Sequence, residues 1–139
     1  MTKPLRAADV IAINGWVSSL IQAGVRIYVP EIADYEVRRE LLRTGATAGI
    51  ARLDAFNAAQ PDRYLPLTTA AVRLAANLWA EARNKGYATA DPKALDGDVI
   101  LAAQAIILGL PKSDFIIATD NLSHLSRYVP AEEWRNIKP

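Results

Sequence analysis

The sequence predicts an α/β fold in which a short parallel sheet is flanked by helices. Helical patterns of apolar residues alternate along the chain with isolated runs of β-forming residues, and this alternation is typical of a parallel sheet covered by helices. With 139 residues and 51% hydrophobic content, the chain is long enough to bury one core, so we expect a single domain over residues 1–139.

The first half of the chain predicts a helix, a strand and a second helix. Apolar residues at helical spacing predict a helix over Pro4–Ala23. The run RIYV (Arg26–Val29) predicts a strand, and Pro30 both ends it and suits the first turn of a following helix. That helix covers Glu31–Thr44, because a glycine stops it at the next position.

The second half repeats the alternation. A helix over Thr47–Ala59 precedes a short strand at Arg63–Leu67, and a long helix then ends at Lys85. The stretch Leu95–Asn121 contains a further helical pattern, followed by the buried strand FIIAT (Phe115–Thr119).

The composition limits the chemistry of any functional site. The chain has no cysteine and one histidine, which excludes disulfides, thiolate nucleophiles and metal sites built from cysteines or several histidines. A metal would therefore be held by carboxylates, which favours Mg²⁺ or Mn²⁺. A net charge of +1 neither favours nor opposes nucleic acid. No apolar run is long enough to span a membrane, and we expect a cytoplasmic protein.

Acidic residues recur where α/β proteins bind ligands. Asp96 and Asp98 open the helix of the central stretch, and Asp120 and Asn121 follow its strand. Ligands of open α/β sheets bind beyond the carboxyl ends of the strands. Glu36 borders the apolar face of the second helix, where a carboxylate needs a partner or a metal. Because neighbouring carboxylates repel one another, these side chains predict a cation site.

Each acid also has a structural interpretation. Asp96 has the position of a helix N-cap, and Asp98 that of a first-turn acid matched to the helix dipole. Glu36 has two candidate partners on an exposed helix face, Arg39 about one turn later and Arg43 about two turns later, and the polar pair after the strand suits an ordinary turn.

A basic cluster of Arg38, Arg39 and Arg43 lies on the helix that carries Glu36. Arginine side chains bind nucleic-acid phosphates without reading sequence. A solvated face of ion pairs is the alternative interpretation of the same cluster.

Three stretches together resemble a PIN domain, the fold of many Mg²⁺- or Mn²⁺-dependent ribonucleases, including VapC-type toxins of bacterial toxin–antitoxin pairs. IYVPEIADYEVRREL (Ile27–Leu41) resembles the segment that presents the family's glutamate. DVILAAQA (Asp98–Ala105) resembles the helix that begins with a metal-binding aspartate. FIIATDNLSHLSRYV (Phe115–Val129) resembles the strand that ends in T-x-D/N.

The resemblance implies a three-layer fold, an enzymatic activity and a set of site residues. Glu36, Asp98 and Asp120 would bind Mg²⁺ or Mn²⁺, Asn121 would join them in catalysis, and Asp96 and Thr119 would support the site. The three arginines of the basic cluster would hold RNA. RNA is the implied partner, with an antitoxin protein and a homodimer left open. The alternative is a catalytically degenerate PIN-like module that binds RNA or a protein.

The chain departs from the family pattern at its beginning. The family's first strand, which ends in a metal-binding aspartate, has no counterpart before Pro4, and Asp9 lies within a helical pattern. Three explanations remain open at this point: a start codon placed too far downstream, a degenerate relative, or a second chain that completes the sheet.

Overall fold

The computed structural model describes residues 7–87, 96–119 and 122–139. The longer helices are α1 (Ala7–Gln22), α2 (Glu31–Arg43), α3 (Thr47–Ala58), α4 (Thr69–Asn84) and α5 (Gly97–Ile107). The short helix α6 (Leu122–Leu125) and a 3₁₀ turn at Trp134–Asn136 follow. The strands are β1 (Val29–Pro30), β2 (Tyr64–Leu65), β3 (Ile117–Ala118) and β4 (Ala131–Glu132). The mixed α/β character predicted from the sequence is confirmed.

The strands form two parallel pairs. β1 pairs with β2 so that Val29 lies opposite Tyr64, and β3 pairs with β4 so that Ile117 lies opposite Ala131. The sequence predicted one short sheet, whereas the described residues form two sheets of two strands each. β4 was not predicted, because its two residues, an alanine and a glutamate, belong to no run of β-forming residues.

Local sequence signals explain where the helices begin and end. The Thr68 side chain caps α4 by accepting a hydrogen bond from the Ala71 N–H at 3.1 Å. At the other end of α4, Gly86 adopts a φ of 81°, a left-handed conformation that favours glycine. No helix within the described ranges is both long and apolar enough to cross a membrane.

Helix α5 lies at the centre of the core. Its Ala102 and Ala103 are completely buried, and they belong to two apolar clusters. Ala103 packs with residues of α4, and Ala102 packs with Leu125 and Val129 near the C-terminal end. Because the side chains along α5 are small, the neighbouring elements pack closely against this helix. Close packing holds these elements in defined positions relative to the start of α5.

One buried polar side chain ties the first sheet to α5. Gln104 is only 2% exposed. Its Nε2 donates to the Leu65 carbonyl at 3.0 Å, and its Oε1 accepts from the Ile32 N–H at 3.2 Å. Gln104 therefore holds both the end of β2 and the first turn of α2 against α5, and so determines where the later residues of α2 lie.

Candidate metal centre

Two carboxylates from distant parts of the chain meet at the start of α5. Glu36 lies in the second turn of α2, which packs against α5. Its carboxylate lies so close to Gly97 that a Cβ added there would collide with Glu36 Oε1. Asp98 is the next residue of α5. The structure thus brings together two of the acids that the sequence analysis selected, although 61 positions separate them in the sequence.

The electrostatic surroundings of Glu36 are those of a carboxylate that would gain from a cation. Partial burial is the main cause that raises its pKa, and the negative charge of Asp98 raises it further. The positive charge of Arg39 acts in the opposite direction. A bound cation would remove the repulsion between the two acids and would favour their ionised forms.

The single histidine also reaches this site. His124 Nδ1 lies 3.5 Å from Asp98 Oδ2, with 38% of the histidine side chain and 26% of the aspartate side chain exposed. The sequence pattern did not predict His124 as a residue of the site. The one sequence feature that could have indicated His124 is its position a few residues after the predicted FIIAT strand, near the strand end where the site was expected.

Asp96 is the N-cap of α5, as its structural interpretation predicted. Asp96 Oδ1 accepts a hydrogen bond from the Val99 N–H at 3.2 Å. Tyr128 is close enough to be affected by both acids at this helix start. Burial raises the pKa of Tyr128, and the charges of Asp96 and Asp98 add to the increase. Tyr128 was not predicted as a residue of the site either.

The predicted FIIAT strand is present only as β3 at Ile117–Ala118, so it ends one residue before the predicted end at Thr119. Thr119 follows β3, and its N–H donates to the Glu132 carbonyl at 3.0 Å, which fixes this strand end to β4. Asp120 and Asn121 lie outside the described residues, so the structure gives no position for these two predicted ligands.

The three arginines of the basic cluster differ in their surroundings. Arg38 is held by Asp34 at 2.8 Å and by Asp54 at 2.6 Å. Arg43 pairs with an exposed glutamate, one turn earlier in α2, at 2.9 Å. Arg39 lies over the Tyr35 ring, 5.4 Å from its centroid. Arg39 is the member of the cluster whose positive charge lowers the pKa of Glu36.

The ligand set is small. Within the described ranges, no three or more histidine, cysteine, aspartate and glutamate side chains form a group that could hold a metal ion.

Comparison with protein-family models, with curated proteins and with solved structures found no match. The chemistry of the site therefore follows from its own residues.

The arrangement fits a hard divalent cation that keeps part of its water shell. Mg²⁺ is usually bound by one or two carboxylates together with water and substrate phosphates. Glu36 and Asp98 supply two carboxylates, and the missing Cβ at Gly97 provides the space in which the Glu36 carboxylate lies. Both acids remain accessible from solvent, so a substrate can approach them.

Proposed function

We propose that this chain is a metal-dependent ribonuclease with a PIN-like fold. The observation that carries the proposal is the position of the Glu36 carboxylate against Gly97, beside Asp98. In this proposal Glu36 and Asp98 hold Mg²⁺ or Mn²⁺, and Asp120 or Asn121 completes the ligand set at the end of the FIIAT strand.

The bound cation would neutralise phosphate charge and lower the pKa of a coordinated water. The chain's own residues then position the substrate. Arg39 offers a guanidinium beside Glu36 for an RNA backbone phosphate. His124 Nδ1 lies 3.5 Å from Asp98 Oδ2, so the imidazole stands beside the aspartate at the site. Thr119 keeps the strand end in place through its bond to β4.

The proposal extends to a biological role on the strength of the PIN resemblance alone. A VapC-like ribonuclease would act on RNA in the cytoplasm and would be held inactive by an antitoxin protein.

A catalytically degenerate PIN-like module that binds RNA or a protein is the second candidate. The observation in its favour is that no group of three or more potential metal ligands is found in the part of the chain that the structure describes. Fewer charged ligands hold a hard cation less tightly. RNA binding without cleavage is the behaviour expected of such a module.

RNA cleavage distinguishes the two candidates. We expect the parent chain to cleave a mixed RNA substrate with Mn²⁺ and to stop when EDTA is added. Asp98→Asn and Glu36→Gln should each lower the rate by at least tenfold. Glu40→Gln is the matched control, because Glu40 lies on the same helix as Glu36 but pairs with Arg43, and it should cleave as the parent does. RNA binding with no Mn²⁺-dependent cleavage would instead support the degenerate module.

A further inference from the structure

Aromatic and cationic side chains alternate where the end of α4 meets the chain that follows α6. The Arg83 guanidinium lies over the Trp79 ring, 5.2 Å from its centroid. The Arg127 guanidinium lies over the Tyr87 ring, 5.5 Å from its centroid. Lys85, the last capping residue of α4, is exposed beside them in the sequence. We call these five residues the α4-end patch.

The α4-end patch adjoins the start of α5. Trp79 and Tyr128 both pack against the apolar cluster that contains Val99, the residue that follows Asp98 in α5. Arg127 also hydrogen-bonds the side chain of Tyr128. The patch therefore lies next to the proposed metal centre and approaches it from α4, whereas the basic cluster of α2 approaches it from the side of Glu36.

The charge of the α4-end patch suits an anionic ligand. Its three cationic side chains are exposed, and they outnumber Glu81, the acidic residue in the last turn of α4. Cationic side chains bind the phosphates of a nucleic-acid backbone without reading its sequence. Charge alone would suit any polyanion, so the identity of the ligand has to come from the aromatic rings.

The exposed ring of Tyr87 distinguishes this patch from an ordinary basic surface. The residue is 51% exposed although its ring is a large apolar group. Exposed aromatic rings beside arginines are the surfaces on which proteins stack the bases of single-stranded nucleic acids. Bases inside a duplex are already stacked on one another, so such a ring favours unpaired bases. The alternative interpretation is a solvated face of arginine–ring contacts, which predicts that bases make no difference to binding.

We propose that the α4-end patch binds unpaired RNA beside the metal centre, with one base stacked on the Tyr87 ring and the backbone phosphates held by the three cationic side chains of the patch. The identity of the nucleic acid as RNA rests on the proposed function. The inference adds the path of the strand, which crosses the end of α4, passes the start of α5 and reaches Arg39 on α2.

The test measures fluorescence anisotropy in EDTA with a fluorescein-labelled oligouridine and with a matched oligonucleotide whose central residues lack their bases. We expect the parent chain to bind the intact RNA more tightly by about fivefold or more, the lower end of what one stacked base contributes. Tyr87→Leu should lose this difference, and Tyr87→Phe should keep it because the ring remains. Equal binding of both oligonucleotides by the parent would mean that the patch contacts phosphates alone and would overturn the proposal. Intact RNA bound equally by the parent and by Tyr87→Leu, or not bound by the parent, would overturn it as well.

A second tyrosine–arginine pair provides the control for location. The Arg26 guanidinium lies 5.3 Å from the centroid of the Tyr28 ring, and this pair precedes β1, whereas Glu36 lies beyond the other end of that strand. Tyr28→Leu should bind both oligonucleotides as the parent does. A loss of affinity equal to that of Tyr87→Leu would place the stacked base elsewhere and overturn the proposal.

The outcomes of this assay are separate from those of the cleavage assay, because it contains no metal. A chain that binds RNA through Tyr87 but does not cleave it with Mn²⁺ would contradict the nuclease proposal alone. A chain that cleaves RNA with Mn²⁺ while Tyr87→Leu binds it as tightly as the parent would contradict this inference alone.

Discussion

The Glu36 carboxylate occupies the space that a side chain would fill at Gly97. This contact joins the second turn of α2 to the first residue of α5, and it places Glu36 beside Asp98. A glycine at a helix start has little effect on the helix itself, so its value here lies in the close approach of the carboxylate.

Gly97→Ala should weaken cation binding without unfolding the chain. The added Cβ meets the far end of the Glu36 side chain, which can turn away at little cost. We therefore expect Mn²⁺ affinity to fall severalfold, as measured by electron paramagnetic resonance titration, with no large change in the urea unfolding midpoint.

Gly15→Ala is the matched control for that substitution, because Gly15 also lies in a helix but has no atom near the position of a Cβ. It should leave Mn²⁺ affinity unchanged and stabilise α1 by about 0.5–1 kcal/mol. Equal Mn²⁺ affinity in the parent and in Gly97→Ala would show that the Glu36 carboxylate does not bind the ion.

Gln104→Leu should destabilise the fold strongly. The substitution removes both hydrogen bonds of a side chain that is 2% exposed, and it leaves the Ile32 N–H and the Leu65 carbonyl without their partner. Each unsatisfied buried group costs about 1–3 kcal/mol. Urea unfolding should show the loss, whereas Gln22→Leu at the exposed end of α1 should have little effect. A stable Gln104→Leu variant would mean that α5 does not need this link to the first sheet.

The approximate bounds of the helices and the N-cap at Asp96 could be predicted from the sequence because local signals determine them. Asp96 caps α5 and Gly86 follows α4 as expected. The division of the strands into two sheets could not be predicted, because strand pairing depends on contacts between residues far apart in the chain. For the same reason the sequence did not place His124 beside Asp98, and it did not predict that Gln104 would link the first sheet to α5.

The stability of the chain should decrease in acid through Glu31. The Leu67 N–H and the Tyr64 hydroxyl each donate to its carboxylate at 2.7 Å, and these bonds lower the pKa of Glu31 below its usual 4.5. The stabilisation is therefore complete above the unfolded-state value and is lost as the pH falls through the lower folded-state value.

Two variants separate the contributions to this pH dependence. Glu31→Gln should flatten the decrease in unfolding free energy below pH 4.5, and Tyr64→Phe should give an intermediate slope because one of the two donors remains. Unfolding curves collected in urea from pH 7 to pH 3 provide the measurement. If the unfolding free energy of Glu31→Gln decreased with falling pH as steeply as that of the parent, other carboxylates would be the cause of the acid sensitivity.

Arg39 should contribute more to RNA binding than Arg38. Arg38 is held by Asp34 and Asp54, whereas Arg39 makes a ring contact with Tyr35. We expect Arg39→Gln to weaken RNA binding and to reduce the slope of log affinity against log salt by about 0.7, as for one phosphate contact on a single strand.

Arg52→Gln on α3 is the control for the loss of one positive charge, and it should bind RNA nearly as the parent does. Salt-dependent filter binding of a fluorescent RNA gives both quantities. If Arg38→Gln weakened binding more than Arg39→Gln at equal folded content, the assignment of the phosphate contact would be wrong.

The most direct test of the central claim compares Mn²⁺ binding by the parent chain with Mn²⁺ binding by Asp98→Asn. Electron paramagnetic resonance titration measures the affinity of each. Asp54→Asn serves as the control, because Asp54 is a carboxylate that pairs with Arg38 away from the start of α5. We predict one Mn²⁺ bound by the parent and by Asp54→Asn, with at least tenfold weaker binding by Asp98→Asn. Unchanged Mn²⁺ affinity in Asp98→Asn would contradict the claim that Glu36 and Asp98 form a metal centre.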